Sequence, residues 1–326
     1  MHNGQSIIHN YKSLVEKKLD SLSAPRSPKY VYEPVRYAMS SGGKRLRAIF
    51  VMLSCEAVGG NARTALDAAV AIELLHNFTL VHDDVMDNSD IRRGKPTVRK
   101  KWNTDVAILA GDQMVAQAYE ALLKAKTPRL QEVLNVFTRA FNDVCEGQGL
   151  DKEYERQRRV TVNDYLKMIG KKTARMISAA TEIGALIGDG TKREVAALRT
   201  FGEELGIAFQ MKDDVLDISG DEQEFGKAIG GDIMEGKKTY LLLKALERTN
   251  GRDKKLLRQV IARNGITKAT VNRTLEIYRR NGILDEARQA IAQRTRKAQQ
   301  ALASLKPNRA ISALLWLSHE LLERNS

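Results

Sequence analysis

Two acidic triads carry the residue types best placed to do chemistry. Asp83, Asp84 and Asp87 lie in the run HDDVMD, and Asp213, Asp214 and Asp217 lie in FQMKDDVLD. On a helix, residues three and four apart are neighbours, so the two leading aspartates of each triad face the third across one turn. Carboxylates that close repel by about a few tenths of a kcal/mol even on a wet surface. No basic residue stands among the first three, so a cation is expected to hold them. Neither triad has the His or Cys that zinc prefers, nor the Asp/Asn alternation and glycine of a calcium loop. Hard oxygen donors with room for water favour Mg²⁺, bound through a few carboxylates plus substrate phosphates. One triad alone would read as a solvated helix face. Two, each closing an apolar run and each followed by Lys or Arg, read as two walls of one metal-filled cavity.

Around them stand more cations than a metal site needs. Lys44 and Arg47 follow the turn Ser40-Ser41-Gly42-Gly43, Arg92 and Arg93 open the Gly/Pro-bounded stretch RRGKPT, and Lys172 lies in KKTA. Lys227 and Lys237 follow the second triad. A guanidinium presents a fork matched to phosphate oxygens, and a lysine facing a core is costly unless an anion meets it. The surplus implies two phosphorylated substrates, one bound through metal and one held by basic side chains. His76 stands seven residues, or two helical turns, before Asp83. Alone it would read as a core histidine; aligned with the carboxylates, it joins the site. No Walker loop, dinucleotide fingerprint or Ser-His-Asp ordering is present. With no nucleophile evident, the cleft would have to make a metal-bound diphosphate leave and shelter the resulting cation.

The elements that position these residues are helices. Apolar spacing predicts helices over 5–22, 35–39, 62–87, 105–124, 130–156 and 194–217, and the segment 162–187 carries Lys171, Lys172 and Thr173 amid small and apolar residues. Pro25, Pro28 and Pro34 should punctuate the entry segment, and Gly147-Gln148-Gly149 should interrupt the fifth helix, at a close helix packing or a kink. After a loop over 220–236, Lys237 and Thr239 open a final third of helical pairs. Those pairs join at Asn250-Gly251, Asn264-Gly265, Asn281-Gly282 and Lys306-Pro307. There are only six prolines, no linker and no solenoid repeat. The expectation is one all-α domain over residues 1–326, a helical bundle around a deep central cavity.

A chain of 326 residues, 43% hydrophobic, can bury a sizeable core. No uninterrupted apolar run is expected to span a membrane, and the N-terminus lacks a signal-peptide core. Cys55 and Cys145 stand alone, without disulfide or zinc spacing, which fits a cytoplasmic protein. The net charge of +13 is lopsided: from Gly251 onward 16 Lys and Arg face 6 Asp and Glu. That balance first suggests nucleic acid, but no recognition motif accompanies it, and nucleic acid is set aside. A solvated helical face and peripheral contact with anionic lipid through the C-terminal helices both stay open.

Five blocks taken together resemble the trans-isoprenyl diphosphate synthases: GGKRLR at 42–47, the ELLH…HDDVMD run with RRGKPT, KTA at 172–174, FQMKDDVLD at 209–217 and GKAIGGDIMEGKKT at 226–239. Their order and spacing match over nearly the whole chain. The resemblance implies head-to-tail 1'-4 condensation of isopentenyl diphosphate onto dimethylallyl, geranyl or farnesyl diphosphate. It implies Mg²⁺, with Mn²⁺ as a substitute, on Asp83, Asp87, Asp213 and Asp217, with Asp84 and Asp214 supporting. It assigns Arg92, Lys172, Thr173, Gln210, Lys227 and Lys237 to the allylic diphosphate, and Lys44, Arg47, His76 and Arg93 to isopentenyl diphosphate. A homodimer is the usual assembly. A class I terpene cyclase would carry one Asp motif and an Asn/Ser/Glu motif, and a non-catalytic partner subunit would lose one Asp motif; neither fits.

Product length follows from the first triad's helix. Phe78 lies five residues before Asp83, about 7.5 Å deeper at 1.5 Å per residue. A phenyl ring there would floor the cavity, where longer-chain members of the resembled family carry a small residue. Thr79 beside it is small, where many fifteen-carbon synthases have a second aromatic. The expected product is geranylgeranyl diphosphate, with farnesyl diphosphate or a mixture as the alternative.

Overall fold

The computed structural model describes residues 2–22, 27–219, 230–262 and 265–322. Lys227, assigned above to the allylic diphosphate, lies outside the described residues. Among the described residues the chain is all-α apart from one two-stranded hairpin. It forms two compact units, one of Met1–Phe141, Met176–Arg199 and Leu302–Trp316, the other of Asn142–Arg175, Thr200–Ala301 and Leu317–Ser326. Their limits fall inside helices rather than in a Pro- or Gly-rich linker.

The first unit begins with α1 (His2–Leu22), α2 (Lys29–Met39) and α3 (Leu46–Ala57). Pro34 sits inside α2 instead of preceding it. A 3₁₀ turn over Ala62–Ala65, capped by the Asn61 side chain, leads into α4 (Leu66–Met86), the helix of the first triad. The stretch Ala62–Met86 is, by length and composition, apolar enough to cross a membrane, though Asp67 and Glu73 interrupt its apolar run. Its burial explains the composition: Ala68 to Leu75 are all buried, and α4 packs on α3 and on α6 (Thr104–Leu122). A helix covered on most sides is apolar on most sides. Between α4 and α6 lie the hairpin β1 (Ile91–Arg92) and β2 (Lys95–Pro96) and the short α5 (Val98–Lys101).

The helix α7 (Leu130–Arg156) runs without interruption through Gly147-Gln148-Gly149. Next comes α8 (Val162–Ile169), started by a capping box of Thr161 and Asp164. A π-turn at Gly170–Ala174 joins it to α9 (Arg175–Ile187). Then follow α10 (Lys192–Ser219), bearing the second triad, and the single-turn α11 (Gly231–Met234). The remainder is α12 (Tyr240–Arg248), α13 (Gly251–Ile261), α14 (Lys268–Arg280), α15 (Ile283–Ala303) and α16 (Arg309–Leu322). In the second unit Ala208, Met211, Val215 and Ile218 line one stripe of α10 and join Tyr165, Tyr240 and Tyr278 in the core. Gln210, Asp214 and Asp217 follow the neighbouring stripe at steps of four and three, so core packing fixes how the acids are presented.

Candidate active site

In the first unit a polar seam runs along α4 in two adjoining strings, Glu73–His76–Asp83–Asp87 and Glu73–Asn77–Asp84–Asp87, whose steps are three, four or seven residues. Asp84 is buried, and Arg92 donates to it through Nε at 2.8 Å. Burial raises the Asp84 pKa above the ordinary carboxylate value, and Arg92 opposes that rise. Asp83 is half-buried and Asp87 is exposed. The helix ends at Asp87, and Asn88 turns with φ +51° into the hairpin. Arg93 and Gly94 form the hairpin's two-residue loop with φ +51° and +72°, the positive pair that a type I′ turn needs. This places Arg92 back against α4 and sends Arg93 to the carbonyl of Gly42.

The GGKRLR turn is held from below. Arg45, itself at φ +53°, is buried, pairs with Glu73 at 3.0 Å and donates to the Met39 carbonyl at 2.7 Å. Asn77 donates to the Glu73 carbonyl at 2.8 Å. Lys44 is exposed beside this anchor. Arg47 Nη1 lies 3.1 Å from His76 Nε2; since a guanidinium can only donate, Nε2 accepts and the ring proton sits on Nδ1. Desolvation, and then Arg47, Arg93, Arg92 and Arg45, hold the His76 pKa well below its ordinary value. Lys44, Arg47, His76 and Arg93 all belong to this unit, as do Phe78 and Thr79. The Phe78 ring is buried, edge-on to Phe141 at 5.4 Å and tilted on His82 at 4.6 Å. Thr79 turns its hydroxyl back to the His76 carbonyl at 2.8 Å.

The second unit repeats the acidic arrangement with other partners. Asp214 is buried and receives Tyr165 Oη at 2.7 Å and Gln210 Nε2 at 3.2 Å. Burial pushes its pKa up to about 7, with the Tyr165 hydrogen bond working against that rise. Asp213 is exposed and Asp217 half-buried; Asp217 Oδ2 accepts the backbone N–H of Asp232 at 3.0 Å. A cleft of about 130 Å³ opens here, with Lys172, Thr173, Gln210, Asp214, Asp232 and Lys237 in its lining. Lys172 pairs with Asp151 at 2.6 Å and Lys237 with Asp232 at 2.9 Å. Burial disfavours the Lys237 charge, but Asp232 beside it keeps that ammonium protonated above its usual range. Thr173 donates to Gln210 Oε1 at 2.9 Å.

Sequence reasoning missed the partners that hold these groups: Glu73, Asp151, Tyr165 and Asp232. Asp232 sits inside a quoted motif and Asp151 lies four residues after Gly147, but only the fold says which lysine each one meets. Among the described residues no three His, Cys, Asp or Glu side chains gather tightly enough to cage an ion. The donors nonetheless fit a hard divalent cation, since Mg²⁺ takes one or two carboxylates and completes its shell with water and phosphate.

The family model described as "Polyprenyl synthetase" matches residues 28–278. A "Geranylgeranyl diphosphate synthase" of Methanosarcina mazei is 44% identical over 243 residues, 74% of this chain and 75% of its own. A "Short chain isoprenyl diphosphate synthase" of Methanothermobacter thermautotrophicus is 38% identical over 98% of both chains. The crystal structure of a geranylgeranyl pyrophosphate synthetase from Pyrococcus horikoshii superposes with a TM-score of 0.93 at 37% identity, covering 98% of this chain and 99% of its own.

Proposed function

The chain belongs to the polyprenyl synthetase family, and from that premise we propose that it condenses isopentenyl diphosphate with allylic diphosphates to make geranylgeranyl diphosphate, using Mg²⁺. The observation that carries this reading is the recurrence of one arrangement in both triads. In each, the middle aspartate is buried and held by protein donors, while the other two are more open to solvent. That division leaves Asp83, Asp87, Asp213 and Asp217 for the metal, and makes Asp84 and Asp214 supports.

When bound, Mg²⁺ would draw electron density from the allylic diphosphate and so help it leave. The protein's own groups do the rest. Lys172, Thr173, Gln210 and Lys237 hold the diphosphate, each lysine exchanging a carboxylate partner for phosphate oxygens. Lys227 and Arg92 belong to the same set by their places in the motifs. Lys44, Arg47, Arg93 and the Nδ1–H of neutral His76 hold isopentenyl diphosphate, with its double bond toward the allylic carbon. The carbon–oxygen bond to the diphosphate breaks, the double bond of isopentenyl diphosphate supplies the electron pair for the new carbon–carbon bond, and the adjacent carbon gives its proton to the released diphosphate, which restores the alkene. The apolar chain extends toward Phe78, whose ring ends it at twenty carbons.

We also infer a homodimer. Leu109, Ala116 and Leu123, spaced by seven residues along α6, are all exposed and share one line of that helix. Light scattering should give the mass of two chains; a single-chain mass at micromolar concentration would contradict it.

The test of the active-site reading is Asp83→Asn and Asp213→Asn. Each should lower kcat by at least about a hundredfold, near 2.7 kcal/mol of transition-state stabilisation, with circular dichroism unchanged. Wild-type rates in both at saturating Mg²⁺ would remove the basis for the assignment.

A further inference from the structure

The two lysines at 171 and 172 are adjacent in sequence, yet they serve different partners. Lys172 and Thr173 line the cleft, whereas Lys171 turns to α7 and pairs with Asp143 at 2.7 Å and with Glu146. Asp143 Oδ2 also meets Arg175 Nε at 3.1 Å, so one carboxylate spans both ends of the π-turn Gly170–Ala174. A π-turn is a rare register change in a helix, found mostly as a single turn and frequently at functional sites.

Two glycines close the turn from either side. A Cβ at Gly147 would lie 2.4 Å from the Lys172 amide nitrogen, and one at Gly206 would lie 2.5 Å from the Ala174 Cα. No methyl fits at either place, so α7 and α10 approach the turn at backbone distance. At Gly149, two residues on, a Cβ would meet nothing within 4 Å, so the backbone-distance approach of α7 to Lys172 is at Gly147 and not at Gly149.

We propose that Asp143 and Glu146, acting through Lys171 and Arg175, together with Gly147 and Gly206, form a clamp that fixes the π-turn in the register that delivers Lys172 and Thr173 to the allylic diphosphate. These are positioning residues, not catalytic ones. The proposal rests on the reading of Lys172 as a diphosphate ligand. In an unbroken helix through 162–187 the residues after Gly170 would be rotated away from the direction the π-turn gives them. The clamp thus lets consecutive lysines divide between structure and substrate.

The experiment compares four variants with the wild-type enzyme. They are Lys172→Ala, the double variant Asp143→Asn/Glu146→Gln, Gly147→Ala, and Gly149→Ala as the packing control. Michaelis constants for geranyl diphosphate and for isopentenyl diphosphate are measured separately, with thermal melts alongside. The double variant and Gly147→Ala should each raise the Michaelis constant for geranyl diphosphate about tenfold, equivalent to about 1.4 kcal/mol. The constant for isopentenyl diphosphate should stay within about twofold, and Gly149→Ala should match wild type in both. Should Gly147→Ala fail to fold, the double variant decides. A lowered melting temperature with an unchanged Michaelis constant for geranyl diphosphate in the double variant would overturn the clamp. An effect of the clamp variants comparable to that of Lys172→Ala supports it. If Lys172→Ala itself leaves the allylic constant unchanged, the diphosphate reading of that lysine fails, whatever the clamp variants do.

Discussion

Adjacent basic residues divide their labour throughout the site. Arg92 holds Asp84 while Arg93 reaches Gly42; Lys237 meets Asp232 while Lys238 donates to the Tyr154 and Glu155 carbonyls at the end of α7. The residue types and spacings were legible in the sequence, because acids at three and four apart need a cation and clustered cations need anions. The partner of each was not, because Asp151 meets Lys172 and Tyr165 meets Asp214 only through tertiary packing. His76 gives a direct test at this scale. Its pKa is depressed below the ordinary 6.5 by desolvation and the surrounding arginines. Below that pH the unfolded chain takes up a proton that the folded ring refuses, so stability should fall as pH drops from 6.5. In His76→Gln that part of the pH dependence should vanish. Urea unfolding of both proteins at about pH 5 and about pH 7.5 measures it, and equal pH dependence in the two would contradict the neutral-ring assignment.

Helix positions were readable because apolar periodicity survives burial: the prediction over 130–156 coincides with α7, and that over 194–217 falls within α10. Departures came where backbone geometry, not periodicity, decides. The π-turn leaves no periodic signature, since 162–187 stays apolar at helical spacing on both sides of it. The hairpin at 91–96 is too short for strand alternation, and its only local sign is the Arg-Gly pair at its tip. Of the two readings of the α7 glycines, a kink or close packing, the unbroken helix and Gly147 give the second. At this scale the turn at Gly42-Gly43 makes a prediction. Gly43 has φ +138°, and a Cβ there would lie 2.9 Å from Arg93 Nη1. Gly43→Ala should cost about 1–3 kcal/mol of local strain and push Arg93 off the turn. The Michaelis constant for isopentenyl diphosphate should rise several-fold, about 1 kcal/mol or less, with that for the allylic substrate unchanged. Steady-state kinetics with each substrate varied in turn would show it, and an equal rise for both would speak against the division of the two anion sites.

For the whole molecule, all-α class and family membership were legible because five motifs in order constrain nearly the entire chain. The division into two compact units was not, because its limits fall within helices and leave no mark in composition. Product length is the property on which motif chemistry, helix direction and packing converge. Phe78 lies on the same helix as Asp83, and its ring is braced by Phe141 and His82. The most direct measurement incubates wild type and Phe78→Ala with Mg²⁺, isopentenyl diphosphate and dimethylallyl, geranyl or farnesyl diphosphate in turn, then sizes the dephosphorylated alcohols. Wild type should yield the twenty-carbon alcohol from all three primers, and folded Phe78→Ala should yield products at least one isoprene unit longer. No condensation by the wild type, or an unaltered product length in a folded Phe78→Ala protein, would contradict the account.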